Sequence, residues 1–263
     1  MSTPASGSVS YAPAPGAAPL HRMVRSQALM ETRLLMRNGE QLVLAVVIPL
    51  VVLFGGVMAA SVIDLGAGRP VDVLTPGVMA LAVMSTAFTS VAIATGFERR
   101  YGVLKLLGAS PLPRSGLLAG KVGAVLIVET LQLALVAAVG LGLGWEPHGG
   151  FAAVVGAGVL VVLGTAAFCS LALLMAGTLR AEATLAAANL VYLLLLAGGG
   201  VVVPLDRYPA SAAAHLELLP SGALAEGLRD VLSGGGLGAG PVLVLAVWAA
   251  VGAALTARTF RWE

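Results

Sequence analysis

FERRYGVLKLLGASPLPRSGLLAGK, residues 97–121, is the stretch of this sequence that decides the fold. It is short, basic and partly amphipathic, and a long apolar run lies on each side of it. A helix needs roughly 20 apolar residues to cross a lipid bilayer, and both runs are long enough. We therefore expect a charged helix between two membrane spans, at a place where a soluble partner can push on a membrane protein.

The composition places the chain in the membrane. Of the 263 residues, 58% are hydrophobic and 11% are charged, and the mean hydropathy is +0.96. Soluble domains carry about 25% charged residues, so folding in water alone cannot bury this much apolar surface. Residues 1–20, which are rich in Ala, Pro, Gly and Ser, have neither the basic start nor the apolar centre of a signal peptide. We expect them to form a disordered cytoplasmic tail ahead of one transmembrane domain, residues 21–263.

The predicted fold class is an all-α integral membrane protein with six transmembrane helices. The spans are predicted at about 42–63, 77–97, 122–143, 151–179, 183–203 and 241–257. Residues 21–41 combine leucines and methionines with four arginines, which is typical of an interfacial helix, although a basic flank of the first span would show the same pattern. A cytoplasmic helix is predicted at about 98–110, and short re-entrant external helices are predicted within 204–240.

Lysine and arginine residues in the short connections predict the orientation. With the N-terminus inside, the cytoplasmic segments hold 12 of these residues and the external segments hold 3. Both termini are therefore predicted to be cytoplasmic, in a chain that crosses the plasma membrane several times.

The motifs of catalytic and nucleotide-binding proteins are missing. The string from Gly116 to Lys121 has only three residues between its glycines and lacks the Ser or Thr that would hold magnesium. The three histidines lie in separate segments, and the single Cys169 excludes an intramolecular disulfide and a cysteine-based zinc cluster. We expect no enzyme activity and no cofactor or metal in this chain, and the basic residues give no reason to expect nucleic acid as a partner.

Three polar residues lie inside predicted spans. Glu129 and Gln132 share one helix face, and Asn189 lies in the fifth predicted span. A charge at the centre of a span costs about 2.5–3.5 kcal/mol, so Glu129 should face protein, a cavity or water. Two interpretations stay open, namely a polar contact in a transport path or subunit seam, and a buried, paired glutamate with a structural role.

The order of these parts resembles the permease subunits of type-2 ABC transporters, an exporter family that includes drug and antibiotic efflux permeases. Residues 97–112 are similar to the coupling helix of that family, with Val103 where threonine is common. Leu219–Arg229 is similar to the external signature of the family, and in it we single out Pro220, Glu226 and Arg229.

The resemblance implies that the coupling helix docks into a groove on a cytoplasmic ABC ATPase dimer, which binds the ATP and Mg. It also implies a second permease chain, identical or not, with the path at the interface near spans one, two and five. The residues predicted to dock are Glu98, Arg99, Arg100, Gly102, Leu104, Lys105, Leu106 and Leu107.

The leading hypothesis is the permease subunit of an exporter whose cargo is amphipathic or hydrophobic, such as a drug, an antibiotic, a lipid or a glycolipid. The alternative is a proton-coupled secondary transporter that uses Glu129, although such folds often contain internal repeats, and we find none that is convincing. A membrane-embedded scaffold or enzyme is disfavoured because catalytic clusters are missing.

Overall fold

A computed structural model describes residues 16–60 and 68–260, and this part of the chain is helical, with no β-strand. A π-helical segment, Ser85–Ser90, joins α3 to α4, and a 3₁₀ turn, Leu205–Arg207, precedes α9. The helices are α1 Leu20–Arg37, α2 Gly39–Ala59, α3 Pro70–Met84, α4 Val91–Arg100, α5 Val103–Gly108, α6 Arg114–Gly142, α7 Gly150–Thr178, α8 Ala181–Gly198, α9 Ala210–Leu216, α10 Pro220–Leu232 and α11 Ala239–Thr259.

Five helices of the described chain are long and apolar enough to cross a membrane, and they correspond to the second to sixth predicted spans. They are Pro70–Arg100, Ser115–Gly142, Gly150–Thr178, Ala181–Gly198 and Ala239–Thr259. The first predicted span, 42–63, corresponds to α2, which has a shorter apolar part, Ala45–Ala59. Residues 61–63 of that span and residues 1–15 of the predicted tail lie outside the described residues. The all-α membrane fold predicted from the sequence is confirmed.

Two spans begin earlier than their hydropathy predicts. The second begins at Pro70 rather than at 77, because a proline in the first turn and the nearby Asp72 stabilise a helix N-terminus. The third begins at Arg114 rather than at 122. Hydropathy excluded Lys121 from that span, but the folded chain supplies carboxylate partners for it.

The helices near the basic stretch also differ from their predicted bounds. The interfacial helix ends at Arg37 instead of 41, and Asn38 separates it from α2. The predicted helix at 98–110 is divided between the end of α4 and the short α5. Gly102 causes this division because it has a left-handed φ of 75°, which a glycine adopts without strain.

The second span, formed by α3, the π segment and α4, lies at the centre of the bundle. Most of α3 is buried, and α2, α6, α7 and α10 pack against it. The ring of Phe88 in the π segment contacts Phe168 of α7 edge-on, with ring centroids 6.3 Å apart. The remaining contacts place α11 along α7, α1 along α6 and α8 along α4. The second span therefore contacts neighbouring helices through both α3 and α4.

Gly77 marks the closest approach between α3 and the segment that follows α8. A Cβ atom on this residue would lie 2.1 Å from the Val201 carbonyl oxygen and 2.7 Å from Nη2 of Arg229. Neither atom can yield, because one belongs to the backbone and the other to a buried, hydrogen-bonded side chain. Only glycine allows this contact.

We predict that Gly77→Ala lowers the free energy of unfolding by about 1–3 kcal/mol, because the added methyl group separates α3 from residue 201. Gly158→Ala is the matched control, since a Cβ there meets nothing within 4 Å. It should leave stability unchanged or raise it slightly. Thermal unfolding of the purified protein compares the two, and equal midpoints would contradict this account of the contact.

Candidate functional site

A buried ion cluster joins three helices at the end of the bundle that carries α5. Nζ of Lys121 in α6 lies 3.0 Å from Glu31 in α1 and 2.9 Å from Glu98 in α4. Gln27 donates a hydrogen bond of 2.9 Å to the same Glu31 oxygen. Only 4% of Lys121 is exposed, so its charge depends on these two carboxylates.

Glycines in α6 let α1 approach closely enough to form this cluster. A Cβ on Gly120 would lie 2.6 Å from Cγ of Gln27, and one on Gly123 would lie 3.5 Å from Cβ of Ala28. The cluster therefore fixes α1 against α6 and fixes both to the last turn of α4. Glu98, the cluster residue in α4, lies only a few residues before α5 along the chain.

The two arginines at the end of α4 bind the turn between α7 and α8. Arg99 donates a 2.5 Å hydrogen bond to the carbonyl oxygen of Leu179, and Arg100 forms an ion pair with Glu182. Together with Arg180 they line a polar groove of about 650 Å³ between this turn and α5. The last turn of α4 is thus held by contacts within the chain.

The exposed face of α5 differs from the predicted docking residues. Leu104 is fully buried in its own core, so it is not available to a partner, which corrects that part of the hypothesis. Leu106 is 77% exposed, Tyr101 is 72% exposed and Val103 is 42% exposed, and the neighbouring Lys105 is also exposed. Leu107 is half-buried, and Gly102 supplies the turn that positions the helix.

Sequence reasoning did not select Tyr101 and Val103 as docking residues, although it did select Leu106 and Lys105. It selected the charged and leucine residues but could not know which side of α5 its own chain covers. The turn at Gly102 sets that orientation. Tyr101 and Val103 flank Gly102, and this position is the sequence feature that could have indicated their exposure.

Glu129 lies in the seam between α6 and α7 and is fully buried. Thr165 donates a 2.5 Å hydrogen bond to one carboxylate oxygen, whereas the other oxygen has no partner among the described residues. Gln132 lies one turn away and joins three spans. It accepts a 2.9 Å hydrogen bond from Thr86 and donates one to the carbonyl oxygen of Ala45.

A cleft of about 700 Å³ lies between the start of α2, the second span and α8. Asn189, the third polar residue predicted inside a span, is exposed and lines this cleft, apart from Glu129 and Gln132. The polar residues that line the cleft are Asn38, Ser85, Thr89, Ser90, Asn189 and Tyr192. Three of these six belong to the π segment.

The external motif forms a clamp around the buried Arg229 of α10. Its guanidinium donates hydrogen bonds of 2.6 Å to the Gly200 carbonyl and 2.7 Å to the Val201 carbonyl, and it pairs with Glu226 at 2.7 Å. Burial lowers the pKa of Arg229 from its ordinary value, and the Glu226 carboxylate opposes that effect. Pro220 begins α10 at a helix position that tolerates proline. The motif thus joins α10 to the end of α8.

We predict that Lys121→Met lowers the free energy of unfolding by about 3–5 kcal/mol, because it leaves two carboxylates buried without their cation. Arg25→Met is the control, since it removes a cation from an exposed position on α1. It should change stability by less than about 0.5 kcal/mol. Thermal unfolding measures both variants, and a Lys121 variant as stable as the control would show that the cluster contributes nothing.

The comparisons with known proteins agree with this architecture. Residues 65–258 match the sequence model of a family described as ABC-2 family transporter protein. No curated protein matches the chain. The matched range begins just before the second span and includes α5, the cleft-lining part of α8 and the α10 clamp. The chain belongs to the ABC-2 transporter family and is a multi-pass membrane permease of the ABC type.

Proposed function

We propose that this permease exports an amphipathic or hydrophobic compound across the plasma membrane and is driven by a separate ATPase dimer that docks on α5. The observation that carries the proposal is the exposed apolar and basic face of α5 at the end of the central span. The family is one of ABC transporters, which supports an ATP-binding partner. The excess of basic residues at this end supports a cytoplasmic location for it and for both termini.

The exposed face of α5 has the chemistry of a docking site. Leu106 and Tyr101 supply large apolar and aromatic contact area, and residues of this kind dominate binding energy when a partner buries them. The adjacent groove has four basic side chains and one carboxylate, Glu182, so its net charge is positive and suits an acidic partner surface. Arg99 and Arg100 also hold the α7–α8 turn, so a partner that contacts the groove acts on two spans together.

A force applied to α5 would act directly on the second span, because α4 lies next to α5 in the chain. Leu104 anchors α5 in the core, and α4 continues into the π segment that borders the cleft. The Lys121 cluster joins the same helix end to α1 and α6. A rigid-body displacement of α5 would therefore move the second span, together with the start of α8 that Arg100 holds, relative to α2 and change the width of the cleft.

A second permease chain would complete the transport path. The cleft opens beside α2 and α8, and both helices expose large apolar side chains there. These side chains are Val47, Val51, Phe54, Leu190, Leu193 and Leu194. An identical or sister chain that covers part of this surface would enclose the cleft between two subunits.

We predict that Leu106→Asp lowers the ATP-driven uptake of an amphipathic compound into inverted membrane vesicles by about tenfold or more. The substitution replaces a central apolar contact of the docking face with a charge. The vesicles would contain the permease together with the proposed ABC ATPase partner. Leu20→Asp is the control, since Leu20 is an exposed leucine, with 50% of its surface accessible, that lies on α1 and not on α5. Transport by the permease alone, without nucleotide or ATPase, would refute the proposal.

Leu106→Asp tests docking more directly than substitutions at Glu98 or Arg100 would. Glu98 belongs to the buried Lys121 cluster, and Arg100 pairs with Glu182. Substitutions at either position would disturb the packing of the chain itself as well as docking. Leu106 is 77% exposed, so its substitution tests the partner contact directly.

The alternative, a proton-coupled secondary transporter, rests on the unpartnered oxygen of Glu129. The enclosed position of this carboxyl favours a structural role, since it lies outside the cleft. We predict that Glu129→Gln, which keeps an oxygen to accept the Thr165 hydrogen bond, retains ATP-driven uptake within about twofold. Uptake in the vesicles, measured with and without a proton gradient, tests this. Gradient-driven uptake that the substitution abolishes would favour the alternative.

A further inference from the structure

We propose that the cleft beside the π segment binds the head of an uncharged amphipathic cargo that carries several hydroxyl or ether groups, such as a glycosylated compound. This inference deepens the proposed function, on which it rests for the identification of the occupant as cargo.

The π segment divides its residues between two surfaces. Thr86, Ala87 and Phe88 are buried in the bundle, where Thr86 binds Gln132 and Phe88 contacts Phe168. The other three residues, Ser85, Thr89 and Ser90, line the cleft.

The wider turn of a π-helix aligns residues five positions apart, so Ser90 comes to lie beside Ser85 instead of beside Thr86. The Ser90 hydroxyl donates to the Ser85 carbonyl oxygen at 3.4 Å, in agreement with this spacing. Three hydroxyl-bearing residues therefore share one surface of the second span. A regular α-helix would have turned one of them toward the bundle interior.

The Thr89 hydroxyl is the strongest indication of a ligand in this group. It is buried and has no hydrogen-bond partner among the described residues. A threonine in a helix ordinarily binds a carbonyl oxygen one turn earlier, as Thr130 and Thr178 do here. The Thr89 side chain is only partly buried, so a rotation about χ1 would turn this unpaired hydroxyl toward a cargo oxygen in the cleft. Its burial without a partner costs about 1–3 kcal/mol.

The facing wall supplies further neutral hydrogen-bonding groups. Asn189 and Tyr192 lie one turn apart on α8, and Asn38 lies at the junction between α1 and α2. Ser85 hydrogen-bonds the Tyr192 side chain, which connects the two walls. Hydroxyl and amide groups both donate and accept, so they match the hydroxyl and ether oxygens of a neutral head.

None of the described residues that line the cleft is charged. Thr89 lies eleven residues before the end of α4, which places it about 16 Å along the span from that end. A charged head would lose its hydration there without an opposite charge among these residues, and that loss is costly. A neutral polyhydroxylated head replaces its water contacts with the six polar residues of the lining.

The remaining lining accommodates an apolar body. Ile48, Ile93, Phe97 and Leu185 supply this surface, and the volume of about 700 Å³ matches pockets for drug-sized compounds. The cargo class that fits is therefore an amphipath with an apolar body and a neutral, oxygen-rich head.

Photolabelling of the full-length chain in lipid nanodiscs tests this inference. Three probes would carry the same octyl chain with a diazirine and differ only in the head, which is glucoside, trimethylammonium or sulfate. Peptide mass spectrometry would map the labelled residues. We expect the glucoside probe to label 85–97 and 185–192 about tenfold more than either charged probe, because the described residues of the lining supply no counter-charge.

The variants Thr89→Val and Asn189→Leu should each lower cleft labelling by the glucoside probe about fivefold, in line with the loss of one hydrogen bond. Thr89→Ser keeps the hydroxyl and should retain labelling even if Thr89→Val impairs folding. Thr130→Val is the matched control, since Thr130 is exposed on α6 and its hydroxyl binds its own helix.

Three results would overturn the inference. They are equal labelling of the cleft by a charged probe, glucoside labelling that Thr89→Val and Asn189→Leu both leave unchanged, and cleft labelling no stronger than that at the exposed face of α6. The experiment needs neither nucleotide nor ATPase. A failure here is therefore distinguishable from a failure of the proposed ATP-driven transport.

Discussion

The structure depends on one buried charge, that of Lys121, and on the two carboxylates that make its burial possible. A lysine inside an apolar helix is unstable without a partner, and here the partners come from α1 and from the last turn of α4. One cation therefore sets the position of three helices relative to one another. Because α5 follows α4 directly, the same contact also fixes where the exposed face of α5 points.

The second span connects the two functional regions of the molecule. At one end it leads into α5 through the left-handed Gly102, and near its middle three hydroxyl-bearing residues of the π segment line the cleft. At the other end Gly77 allows the contact with Val201 that the Arg229 clamp reinforces. A helix that is held at both ends transmits a displacement as a rigid body. This property suits the proposed coupling to an ATPase that docks outside the membrane.

The sequence predicted the fold class and the order of most membrane spans, because spans can be recognised from hydropathy and length. It failed where a local feature outweighed hydropathy. Pro70 and Asp72 extend the second span beyond its apolar part, and Gly102 separates α5 from α4. Of the predicted docking residues, Leu106 and Lys105 are exposed, whereas Leu104 belongs to the core of its own chain. A periodic pattern shows that a helix has two faces, but it does not show which face its neighbours cover.

What the sequence alone determined is that this chain crosses a membrane repeatedly and carries a basic helix between its second and third spans, since both follow from apolar run length and charge position. Only the tertiary structure decided which polar residues meet. It paired Lys121 with Glu31 and Glu98, enclosed Glu129 with Thr165, and left Thr89 facing a cleft with Asn189. These residues lie far apart in the chain, so their contacts arise only when the helices pack.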